Sequence, residues 1–173
     1  KEYYDAAESS GGELPQFALK QDGNYDWTSP LVKPEKMTAF DLGLTHRTAS
    51  LNSRLNFYLM FFKDEIVKSG DLDRFGQPRT GNMKSTYHVG IELSTEVNLS
   101  SELSILGNIS LSKNKINEGV RYISVADSAV QISLAGNDIT GFPDILTYIA
   151  INYQLKNYFL QLSGRFVGGM YSD

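Results

Sequence analysis

The chain has 173 residues, 41% of them hydrophobic and 12% aromatic, with a formal net charge of −4. That length suffices for one domain with a real core, and the acidic balance provides no basic footprint for nucleic acid. Cysteine is absent, which excludes disulfides, thiolate catalysis and cysteine-ligated zinc. No basic stretch followed by an apolar run opens the sequence, so no signal peptide is expected within it.

Residues 1–37 lack either regular period. Gly11, Gly12, Pro15, Gly23, Asn24, Pro30 and Pro34 punctuate them, and such clusters mark loops. A long loop is expected here. Tyr3, Tyr4, Phe17, Tyr25 and Trp27 are scattered along it. Tyr25 and Trp27 are its candidate ligand-contact aromatics.

Six segments follow with period-two apolar patterning: residues 38–47, 51–62, 86–97, 103–112, 145–155 and 158–167. Successive strand side chains point to opposite faces, so each segment reads as a strand with one apolar and one polar side. The second places Leu51, Leu55, Phe57, Leu59 and Phe61 against Asn52, Arg54, Asn56 and Tyr58. The fourth alternates likewise, with Leu106 as the exception on its polar side. Arg54, Glu92, Glu96 and Arg165 all fall on polar sides.

The connections between these segments alternate between short and long. Residues 48–50, 98–102 and 156–157 form tight turns; residues 63–85 and 113–144 are expected as long polar loops. A soluble or surface-exposed β-sheet adhesion module also alternates its faces, but it has no reason to keep this rhythm. A transmembrane β-barrel does, because one rim carries short turns and the other long loops. No apolar run approaches the ~20 residues a helical span needs, whereas a spanning strand needs only ~9–11. Aromatics also gather near strand ends, at Phe61, Phe62, Tyr87, Tyr153, Tyr158 and Phe166, as at a membrane–water interface.

No residue set points to catalysis. The two histidines are His46, on an apolar side, and His88, on a polar side near the long-loop end. A hydrogen-bonded structural role is expected for His88. No Ser/His/Asp spacing is recognisable. Asp71, Asp73 and Gly76 resemble the start of a calcium loop, but Asn82 stands where a bidentate Glu is required. No metal, cofactor or enzymatic activity is expected.

Several runs, in this order, resemble the C-terminal half of a TonB-dependent outer-membrane receptor barrel. Pro30, Lys33, Pro34 and Glu35, then Asp41 and Gly43, resemble the family's P-x-L-K-P-E … E-x-G element, with Asp41 at the usual Glu. Gly90 and Glu92 resemble its G-x-E strand, and Gly164, Arg165 and Gly168 its habit near a late strand. Over residues 30–173 the resemblance implies an all-β, antiparallel up-and-down transmembrane barrel. About six long strands lie here out of about twenty-two. Six cannot close a barrel, since the smallest have about eight, so the rest of the barrel and a plug domain are expected elsewhere. The resemblance further implies the bacterial outer membrane and its lipid as surroundings. It implies TonB acting through the plug, and an iron–siderophore or similar ligand. Arg54, Glu92, Glu96 and Arg165 would then face the lumen, and Pro34, Glu35, Asp41, Gly43 and Gly90 would be structural motif residues.

Overall fold

A computed structural model describes residues 17–30, 32–72, 78–125 and 128–171. Among these, all regular structure is β. Six strands form one antiparallel sheet: β3 (Lys36–Arg47), β4 (Leu51–Leu72), β5 (Pro78–Asn98), β6 (Leu103–Glu118), β9 (Ile145–Leu155) and β10 (Tyr158–Val167). Their spatial order is their chain order, so the sheet is a plain up-and-down meander. Two small hairpins accompany it: β1 (Phe17–Leu19) with β2 (Tyr25–Pro30), and β7 (Val120–Val125) with β8 (Ser128–Ser133). The outer edges of β3 and β10 have no strand beside them among the described residues, so the sheet is not closed.

Local chemistry makes the three tight turns. The Thr48 hydroxyl accepts the Leu51 N–H at 3.0 Å. Ser100 Oγ accepts the N–H groups of Glu102 and Leu103, and the Ser100 and Ser101 hydroxyls donate to the Glu102 carboxylate. Lys156 takes φ 51, the left-handed conformation that a two-residue hairpin turn demands.

The strand ends at the tight turns fall where the alternation places them. The opposite ends differ. Residues 63–85 are not an irregular loop: β4 runs on to Leu72 and β5 begins at Pro78. Residues 113–144 likewise begin with the end of β6 and then form the β7–β8 hairpin. Residues 1–37 contain the β1–β2 hairpin and the start of β3. Backbone pairing does not require apolar alternation, so polar strand extensions look like loops in sequence. The calcium-like run falls largely on residues 73–77, outside the described residues.

Register sorts the side chains into two faces. Phe57 opposes Leu42 and Ile91; Leu55 opposes Leu44 and Leu93; Ile151 opposes Ile105 and Leu162. This apolar face is open. Leu42 and Leu162 are each 71% exposed, and Phe40, Phe57, Phe61, Ile149 and Phe166 are exposed as well. A water-soluble domain of this size buries most such side chains. Here the buried apolar cluster consists of Val67, Met83, Ile116 and Ile139, with Leu134 against it. All of these lie toward the long-loop end. The core therefore sits beyond the regular part of the sheet, not within it.

Candidate functional site

The second face is polar. The pairings Asn56 with Glu92, Asn52 with Glu96, Arg54 with Ser94 and Arg165 with Tyr148 put Arg54, Glu92, Glu96 and Arg165 on one side of the sheet. Leu106 joins them, opposite Glu96 and Ala150, so the exception in the alternation is a real apolar residue on the polar face. Among the described residues none of the four charged side chains forms an ion pair or a side-chain hydrogen bond. Arg54 and Glu96 line one depression on this wall and Glu92 lines another, so the four do not converge on a single point.

Asp41 and Gly43 occupy the same face, opposite Tyr58 and Asn56. Gly90 also pairs with Tyr58. A Cβ at Gly90 would lie 2.5 Å from the Tyr58 ring carbon Cζ, so the absent side chain lets the tyrosine lie across the strand. Pro34 and Glu35 end the β3–β4 ladder, which starts at Lys36. Proline cannot donate to a ladder. Instead the Glu35 carboxylate accepts the Ile66 N–H at 3.2 Å. Asn82 completes this join: its Oδ1 accepts the Lys33 N–H at 2.7 Å, and its Nδ2 donates to the carbonyls of Lys33 and Asp64.

At Asp64 the strand changes phase. Asp64 has φ 57, a conformation Asp tolerates because its short polar side chain bonds locally. Phe62 and Glu65, three residues apart, consequently meet the same partner, His88. The Phe62 ring centroid lies 5.2 Å from that of His88, and the Glu65 carboxylate oxygens lie 3.1 and 3.2 Å from His88 Nε2. His88 Nδ1 lies 2.7 Å from Asn114 Oδ1. The Thr86 hydroxyl donates to Glu65. Glu65, Thr86, His88 and Asn114 are all buried, and buried polar groups of this kind are tolerated only when mutually satisfied. Phe142 closes over the imidazole from the other side, with centroids 5.1 Å apart. A depression of ≈ 300 Å³ beside this cluster is walled by Tyr58, Met60, Phe62, Phe142 and Leu146, with Glu92 at its edge.

His88 is thus hydrogen-bonded, as expected, with both ring nitrogens engaged. The sequence reading missed Glu65 and Asn114, which fell within the expected loops 63–85 and 113–144, and Thr86, to which it gave no role. The available signal was Asp64, a residue able to break the phase. His46 pairs with Ser53 on the apolar face, far down the register from this cluster. The aromatics Tyr25 and Trp27 belong to the β1–β2 hairpin. Trp27 meets Phe17 edge-on at 5.0 Å and Tyr25 at 5.6 Å, and it remains half exposed. Beside it the Thr28 hydroxyl and N–H both donate to Asp26 and hold its carboxyl below the usual range.

A chain with one open apolar face, one polar face and alternately short and long connections fits a barrel wall, and comparison with known proteins decides the family. The family model described as "TonB dependent receptor-like, beta-barrel" matches residues 3–173. The chain belongs to that family. Its family is one of transporters, found in the bacterial outer membrane. A similar solved structure is the copper transporter OprC, 20% identical, covering 79% of this chain and 18% of that one, with TM-score 0.57. Another is the FrpB iron transporter from Neisseria meningitidis (F3-3 variant), 12% identical, covering 94% and 21%, with TM-score 0.53. Both likenesses concern the fold. The chain spans about a fifth of the length of these structures, so its open sheet edges correspond to a stretch of a larger TonB-dependent barrel wall. No curated protein sequence matches it.

Proposed function

We propose that this chain forms part of the wall of an outer-membrane TonB-dependent receptor that actively imports a scarce metal nutrient. An iron–siderophore complex is the proposed cargo. The observation that carries this reading is the family match over nearly the whole chain, together with a sheet whose apolar face is open along its length. Lipid would cover that face, where a soluble adhesion module would have to hide it. The names of the two similar structures, a copper and an iron transporter, support a metal-bearing cargo.

In this reading the tight turns lie on the periplasmic side, and the β4–β5 and β7–β8 hairpins extend outside the cell with the β1–β2 hairpin. Arg54, Glu92, Glu96 and Arg165 face the lumen and its plug. A solvated or plug-facing surface accommodates such unpaired charges, and lipid does not. Tyr25 and Trp27 supply an exposed aromatic surface for ligand capture. Import itself requires the plug and TonB, which act through other parts of the receptor. Growth of a strain lacking the receptor, on a panel of ferric siderophores under iron limitation, tests the proposal. Loss of growth on one chelate, restored by the intact gene, supports it. Normal uptake of every iron source overturns the iron reading.

A further inference from the structure

The buried cluster around His88 continues beyond the imidazole. Asn114 Nδ2 donates to Ser112 Oγ at 3.0 Å. The Ser112 hydroxyl donates in turn to the Pro143 carbonyl at 3.2 Å. A single hydrogen-bond chain therefore runs from Glu65 on β4, through His88 on β5 and Asn114 and Ser112 on β6, to the 134–144 segment that leads into β9. That segment lies along the end of β6. The Ile116 N–H donates to the Asn137 carbonyl, the Ile139 N–H to the Asn114 carbonyl, and the Ser112 N–H to the Asp144 carbonyl. Phe142 rests on the His88 ring.

Every link in this chain has a direction. With the Asn114 oxygen toward Nδ1 and the Glu65 carboxylate toward Nε2, both ring nitrogens must carry protons. Asn114 then has its amide nitrogen left for Ser112, and the serine proton is free for Pro143. A neutral imidazole whose one proton points at Glu65 presents a bare Nδ1 to Asn114. The amide must then rotate to donate to it, placing its oxygen against Ser112. The serine hydroxyl, with one proton, turns from Pro143 to Asn114. We propose that His88 is a proton-set latch: its cationic form directs the Asn114–Ser112 relay to hold the 134–144 segment, and loss of one proton reverses the relay and releases Pro143. The titratable groups that face the ring are Glu65 on β4, which it contacts, and Tyr58 on β4 and Glu92 on β5, which line the same depression. From β6 and the 141–146 segment the ring meets Asn114 and Phe142, while Ser112, Pro143 and Leu146 line the same depression, and none of these titrates. The latch does not depend on what the receptor carries.

Losing one neutral hydrogen bond of ~1 kcal/mol corresponds to about a fivefold change in local opening. The test is hydrogen exchange of the Ser112 and Gly141 amides in the intact receptor, across the histidine titration range, relative to β10 amides that share the intrinsic pH dependence. About fivefold faster relative exchange above the transition is expected. Ser112→Ala, which leaves the imidazole in place, is expected to exchange at the fast level at every pH. His88→Gln is expected to lose the transition. A flat wild-type profile overturns the latch, as does a transition that persists unchanged in Ser112→Ala.

Discussion

The two ends of the β4–β5 hairpin obey different rules. From Leu51 to Leu59, paired with Val89 to Val97, the alternation is strict, one face is apolar and open, and the sheet has no core of its own. Above Asp64 the phase has shifted, and Val67, Met83, Ile116 and Ile139 bury one another beside the Glu65–His88 cluster. The lower part relies on its surroundings to cover its apolar side chains. The upper part is built like a small soluble protein. The contrast matches a wall whose lower half spans a bilayer and whose upper half stands in water. At ~3.3 Å per residue, the 22 residues of β4 are about twice as long as a span requires.

Substitutions that exchange the rules of the two halves are expected to sharpen this contrast. The largest effect is expected from Phe57→Arg, at the middle of the apolar face. It should cost about 2–4 kcal/mol of barrel stability in lipid, read from denaturant unfolding of the receptor in bilayers. Ser94→Arg, on the polar face, should cost far less. Glu65→Ala is next. It strands the buried His88 and Thr86 groups, at about 1–3 kcal/mol, and amide exchange should rise in β4–β5 above Asp64 before it rises below. Gly90→Val should cost about 1–3 kcal/mol by overpacking against Tyr58. Adding Tyr58→Ala should recover part of it, while Gly164→Ala, where a Cβ meets nothing within 4 Å, should be nearly neutral. Asn82→Ala removes three hydrogen bonds at the join between residue 33 and β4, two of them exposed. A loss of about 1–2 kcal/mol should appear as protease sensitivity near Lys33.

The smallest effect belongs to the turn at Glu102. Hydroxyl donors from Ser101 and then Ser100 hold its carboxyl below the usual range. A carboxyl whose folded pKa is depressed stabilises above its unfolded pKa and loses that contribution as pH falls through its folded value. The exchange of the Leu103 amide, which rests on Ser100, should therefore rise only at acid pH. Ser101→Ala should move that rise to higher pH.

The lower half was legible in the sequence because a half-buried strand pair imposes period two on every residue. The three tight turns and the face carrying Arg54, Glu92, Glu96 and Arg165 follow from that. The upper half was not legible, because polar strands held by backbone bonds leave no periodic trace. One αL residue, Asp64, then moved Glu65 to the face where His88 waits. The joining role of Asn82 depends on residues 49 positions apart, which no local pattern encodes.

In a membrane-spanning wall the odd positions from 51 to 61 face lipid and the even ones do not. The chain itself has no cysteine, so single cysteines can be placed at positions 51 to 67 of the intact receptor in bilayers. Spin labels on them report access to oxygen, which concentrates in lipid, and to a water-soluble nickel chelate. Strict alternation is expected, with oxygen access high at 55, 57, 59 and 61, and it ends at Asp64. Equal nickel access at odd and even positions, or alternation continuing unchanged through residue 67, would contradict it.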